Sequence, residues 1–187
     1  MKKFAAMAAV LCATASIASA QMDMSHDKSK RPSPPASAEC KFSDGKTVKI
    51  DYSSPRAKGR KIFGEEGEKA LVPFGHIWRT GANEATTFVA DANLVVGGKA
   101  VPAGNYTLFT VPRADSWTLV INKRTGEWGT EYDEAKDSKE DLVRVPMSVS
   151  RTSAPVENFT IAFDHAGSKC TLRMEWETTR ASVEITK

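Results

Sequence analysis

Apolar residues in this chain recur at every second position, and that period commits most of it to sheet. Val48, Ile50 and Tyr52 share one side of their segment, with Lys49 and Asp51 on the other. Trp117, Leu119 and Ile121 repeat the pattern, as do Val143, Val145, Met147 and Val149. So do Phe159, Ile161 and Phe163, and then Leu172, Met174 and Trp176. Alternation of this kind gives a strand one apolar face for a core and one polar face for water. Turn dipeptides fall between the runs: Asp44-Gly45, Gly97-Gly98, Ala103-Gly104, Thr125-Gly126 and Ala166-Gly167. No segment keeps a long helical period, and Gly64 to Leu71 offers a single turn at most. The pattern predicts an all-β fold, a single antiparallel β-sandwich (jelly-roll-like) of roughly nine or ten strands. Pro146 cannot donate to a ladder, so its strand is expected at an edge.

Three stretches are expected along the chain. Residues 1–20 read as a signal peptide: Lys2 and Lys3 lead an apolar run, and Ala18-Ser19-Ala20 is a cleavage box. A lipid anchor on Cys12 is the weaker alternative, because Leu11 precedes it where that signal needs a small residue. Residues 21–39 read as a disordered polar, Pro-rich linker. Its Met22, Met24 and His26 leave a copper-binding reading open, although no metal site is expected. Residues 40–187 then form the β-sandwich domain. No later segment is apolar enough to span a membrane as a helix. The protein is expected to be exported, to the periplasm or beyond. Without Lys2 and Lys3 the chain keeps 24 basic against 23 acidic residues, so charge gives no argument for nucleic acid.

Cys40 and Cys170 remain after the leader is removed, and an exported chain offers conditions to pair them. Two separate buried thiols are the alternative. The acid- and lysine-rich stretch from Glu131 to Asp141 reads as a solvated loop, with calcium binding a lesser option.

The chemistry concentrates between Asp51 and Thr87, a long irregular segment placed over one end of the sandwich. Arg56, Arg60, Trp78, Arg79, Asn83 and Glu84 are its candidate ligand-binding residues. Arginine offers a rigid fork for carboxylate or phosphate, asparagine adds an amide, and Glu84 is placed to orient Arg79 or Arg56. These side chains are expected to converge on one patch. The motifs of serine hydrolases, zinc peptidases, nucleotide-binding loops and dithiol redox proteins are missing from the sequence. His76 and His165 are too few for a histidine metal site on their own, and no cofactor is expected.

Several of these segments resemble one family. They are Tyr52-Ser53-Ser54-Pro55-Arg56, Lys58-Gly59-Arg60-Lys61-Ile62-Phe63, and Trp78 through Thr86. Val101 through Phe109, Trp128-Gly129 and Ala154-Pro155-Val156-Glu157 add to them. Over about Lys46 to Ile185 the chain resembles the bacterial family known as domain of unknown function 2911. The resemblance implies a secreted or envelope β domain and brings no activity with it. The acidic insert Glu65 to Glu68 departs from the family's shorter loop. Three functions stay open: a non-catalytic envelope module that binds a small polar or anionic molecule or a glycan, a purely structural envelope protein, and a periplasmic hydrolase using Glu84 with Arg79 or Arg56. The sequence does not give an oligomeric state.

Overall fold

The computed structural model describes residues 28–187. The expected signal peptide, Cys12 and the Met22, Met24 and His26 set lie outside the described residues. The strands are β1 (Pro35–Lys41), β2 (Thr47–Ser53), β3 (Phe63–Gly64), β4 (Val72–Pro73), β5 (Thr86–Ala90), β6 (Leu94–Val96), β7 (Lys99–Val101), β8 (Gly104–Pro112), β9 (Ser116–Asn122), β10 (Asp141–Ala166) and β11 (Lys169–Thr186). One short helix, α1 (Glu134–Asp137), precedes β10.

Nine strands form one antiparallel sheet in the order β1-β2-β5-β8-β9-β10-β11-β6-β7. The all-β antiparallel expectation is met, and a single sheet folded over itself provides both layers. The bend lies in the β10–β11 ribbon. The first part of β10 pairs with β9, from Asp141 opposite Asn122 to Ser148 opposite Ser116. Register shifts between Arg151 and Thr160 then insert extra residues into β10 and turn the ribbon. Beyond the shifts Phe159 and Ile161 join Leu172, Met174 and Trp176 of β11 in one core with Val48, Ile50, Phe88, Leu108 and Leu119 of the other layer.

Three contacts fasten the layers. Cys40 and Cys170 form a disulfide with Cα atoms 6.2 Å apart, as expected from the sequence. Ile161 donates its amide to Tyr52 Oη at 3.0 Å. The Tyr52 and Phe159 rings meet edge to face at 5.7 Å. The hairpin joining β6 and β7 needs positive φ at both turn residues, which Gly97 and Gly98 supply at 52° and 82°.

Three expectations need correction. The domain opens before Cys40: Pro35 already pairs with Ser53, and residues 28–34 pack beside the loop described below. Small Ala36, Ala38 and Cys40 carry that strand's inward face, too weak an apolar signal to separate it from a linker. The stretch from Glu131 to Asp141 is a folded cover. Beneath it Phe109 and Val120 are buried on the sheet's outer face, with Tyr132 edge-on to Phe109 at 5.3 Å. Its acids are engaged, Asp137 by Arg124 and Asp141 by Arg144 and Tyr132. Pro146 lies in a strand flanked on both sides in the sheet order. It stands beyond the last β10–β11 pair, Ser148 with Ser182, so only β9 pairs with it there.

Candidate functional site

The segment from Ser54 to Thr86 leaves the sheet at the end of β2 and returns at β5. Its first part is zipped to β10 at the bend: Phe159 donates to Pro55 O and Ala57 donates to Glu157 O, both at 2.8 Å. Phe63 then reaches inward, and β3 and β4 pair in parallel across the acidic insert. The last part is pinned by Trp78. Its backbone exchanges two hydrogen bonds with Thr110, at 2.7 and 2.9 Å, and its indole donates to Gly81 O at 3.1 Å. The buried ring stacks on Trp176 at 5.8 Å and meets Phe159 at 4.8 Å. Trp78 is therefore an anchor whose edge reaches a cavity.

Backbone strain gathers here. Of the five non-glycine residues with positive φ among the described residues, Lys58, Lys69, Thr80 and Asn83 lie in this segment. A β-branched residue at φ 55°, as in Thr80, is held only by strong surroundings. Thr80 Oγ1 lies 3.0 Å from Thr110 Oγ1, and Thr80 O accepts from Thr86 Oγ1 at 2.8 Å, all fully buried. Next to it, a Cβ on Gly81 would come within 3.0 Å of Ser53 O and Thr86 Oγ1, so only glycine lets the chain pass.

This frame surrounds a pocket of about 400 Å³ whose wall includes Arg60, Arg79, His76, Trp78, Trp176 and Ser33. Arg79 is the unusual member. Its Nη1 makes one long contact, 3.5 Å to Thr130 Oγ1, and its Nε is buried without an acceptor. Burial pushes its pKa below the ordinary arginine value. Arg60 donates from Nε to Ala57 O at 3.0 Å and from Nη2 to Arg56 O at 2.5 Å. Neither arginine has a carboxylate partner among the described residues.

The six predicted residues thus fall into three sets. Arg60, Trp78 and Arg79 meet at the pocket. Asn83 and Glu84 are not part of its wall and hold the N-terminal segment: Asn83 donates to Ser33 O at 3.1 Å, and Arg31 Nη1 donates to both Glu84 oxygens at 2.9 and 3.1 Å. Lys28 Nζ adds an ion pair to Glu84 at 3.0 Å. Arg56 lies apart, exposed, its backbone bridged to Asn158. The expected pairing of Glu84 with Arg79 or Arg56 does not occur, because the N-terminal segment runs past Glu84 and delivers Arg31 and Lys28 first. Burial alone would raise the Glu84 carboxyl; hydrogen bonds from Arg31, its own amide and Lys28 outweigh that and lower its pKa to about 2. Such a carboxylate is a firm anion and a poor proton acceptor near neutral pH.

Sequence reasoning missed Arg31, Lys28, Ser33, Thr130 and Trp176. Trp176 was visible only as a core residue of its alternating strand, and the first three sit in what reads as linker. Among the described residues no cluster of three or more His, Cys, Asp or Glu could hold a metal ion, and no helix is long and apolar enough to cross a membrane.

No curated protein and no solved structure matches the chain. One family model does, over residues 33–185, a span that takes in Ser33, β1, the irregular segment and the disulfide, and by that match the chain belongs to the family described as Protein of unknown function (DUF2911).

Proposed function

We propose that this is an exported, non-catalytic binding module that takes a small organic anion, a carboxylate or a phosphate ester, into the pocket between Arg79 and Arg60. The observation that carries the reading is Arg79: a guanidinium on a pocket wall whose Nη1 makes one long contact, 3.5 Å to Thr130 Oγ1, and which has no carboxylate partner among the described residues. A guanidinium Nη with so long a contact keeps donor capacity for a ligand oxygen. Arg60 adds a second fork at the mouth, while Leu71, Pro73 and the edge of Trp78 offer apolar surface to the remainder of the molecule. The hydrolase alternative loses its base, since Glu84 is fixed by Arg31 and Lys28 and does not line this pocket. For glycan stacking the exposed tryptophan is Trp128, and Arg31 already lies 6.0 Å over its ring.

The test is calorimetric titration of the protein with short monocarboxylates and phosphate monoesters, beside their neutral amides and alcohols. The reading expects binding of the anions only and its loss in Arg79→Met, with the variant still folded. Equal response to charged and neutral compounds, or full binding by Arg79→Met, would sink it.

A further inference from the structure

A second depression adjoins the first. It has a volume of about 430 Å³ and shares His76 and Ile77 with the Arg79 pocket, so the two lie on either side of that dipeptide. Its wall carries Arg113, Arg144 and Tyr132. Arg144 is occupied: it holds Asp141 at 2.6 Å and Glu134 at 2.9 Å. Arg113 has no acidic partner among the described residues. Its guanidinium lies over Gly75, with Nη1 3.7 Å from where a Cβ would stand. Gly75 donates to Pro112 O and Trp78 to Thr110 O, so the chain from Gly75 to Trp78 runs back along β8. Four residues separate Gly75 from Arg79, so their Cα atoms lie within about 14 Å of each other, and the Arg113 and Arg79 sites flank the His76-Ile77 divide.

We infer that the two depressions form one elongated site for a linear molecule carrying two anionic groups, one held by Arg79 with Arg60 and the other by Arg113. The inference rests on the anion reading of the first pocket and extends it to ligand length and charge. Two guanidinium groups without a carboxylate partner among the described residues, one on each side of the divide, favour a molecule whose ends reach both. Once one end is seated, the other is presented to its partner at high effective concentration. His76 and Ile77 give the span between them a part-apolar path, suited to a methylene chain.

Titration with α,ω-dicarboxylates from succinate to dodecanedioate, each beside the monocarboxylate of equal length, separates the ideas. The inference expects a maximum at an intermediate length, where the diacid binds about tenfold tighter than its monoacid, the worth of one added charged contact. Arg113→Ala, an exposed position, should remove that advantage and leave monoacid binding as it was. Arg79→Met should abolish both. A diacid that never exceeds its monoacid, or an advantage that survives Arg113→Ala, overturns the elongated site while the first pocket stands. Absence of monoacid and diacid binding in the wild-type protein overturns both readings for carboxylates.

Discussion

Replacing Arg79 with methionine should leave the protein as stable as before, or more so. That is the reverse of what an arginine on a structural ion pair would do. Arg79 offers a fork of donors, yet the folded chain satisfies little of it: one contact of 3.5 Å to Thr130 Oγ1, and a buried Nε with no acceptor. Losing so long a hydrogen bond costs under about 1 kcal/mol, whereas the unpaired buried donor it removes was costing about 1–3 kcal/mol. Methionine keeps much of the apolar stem that arginine lays along the wall. The net change should lie between zero and about 2 kcal/mol of added stability. For a domain of this size that is an upward shift in Tm of at most roughly 4–8 °C. Urea unfolding followed by tryptophan fluorescence reads it directly, because Trp78 and Trp176 sit at the same wall. A loss of about 2 kcal/mol or more would refute the reasoning, since it would mean that Arg79 is paired in solution and removal strands its partner. Arg79→Lys sharpens the case: it keeps the charge but not the planar fork, and should weaken anion binding with little change in melting.

Other consequences can be measured on the same protein. Removing the Cys40–Cys170 bridge frees a loop of 130 residues, which in the chain-entropy model costs about 5 kcal/mol; unfolding of a Cys40→Ala, Cys170→Ala variant beside the wild type should show most of it. Tyr52→Phe leaves the Ile161 amide without its acceptor inside the core, so a loss of about 2 kcal/mol is expected, and a change below about 0.5 kcal/mol would count against the cross-layer bond. Glu84 has a folded-state pKa of about 2 against an ordinary 4.5, so its contribution is complete above pH 4.5 and fades as the pH falls toward 2. Because the group is a third exposed, that contribution should be no more than about 1 kcal/mol, and its clearer mark is faster amide exchange across residues 28–34 in Glu84→Gln.

The strands were legible because each long run sets apolar residues against one face with a clear period. Cys170 keeps the phase of Leu172 and Met174, which turns it to the core side where Cys40 meets it. β1 escaped because Ala36 and Ala38 bury too little apolar surface to declare a strand between Pro35 and Cys40. Register, not hydrophobicity, holds it to β2. The bend in β10 escaped because bulges are backbone events, and nothing in Thr152-Ser153-Ala154-Pro155 separates a turn between strands from a shift within one. The long segment was legible as a concentration of chemistry, whereas its pairings depended on which distant chain passed nearest. Glu84 illustrates this. The only basic residues weighed for it were those of its own segment, and the fold supplied Arg31 and Lys28 from a stretch that composition had set aside.

How the chain distributes its carboxylates bears most directly on function. Arg31, Arg124, Arg144, Arg173 and Arg180 each hold at least one acidic side chain at 3.0 Å or less. The sequence carries 23 acids against 26 lysines and arginines, so a few cations go without a carboxylate of their own. Exposed arginines such as Arg56 and Arg113 can leave their charge to water. Arg79 is half-buried on a pocket wall, and its Nε meets neither water nor an acceptor among the described residues. A structural role at that position would be served better by a nearby carboxylate or by a methionine that needs none. The strained backbone at Thr80, the glycine that lets the chain pass at Gly81 and the ring that anchors Trp78 all fix the residue in place instead. Such rigidity around an unsatisfied donor is what a binding site requires of its walls, because the fork is then aimed before the anion arrives and little order has to be created on binding.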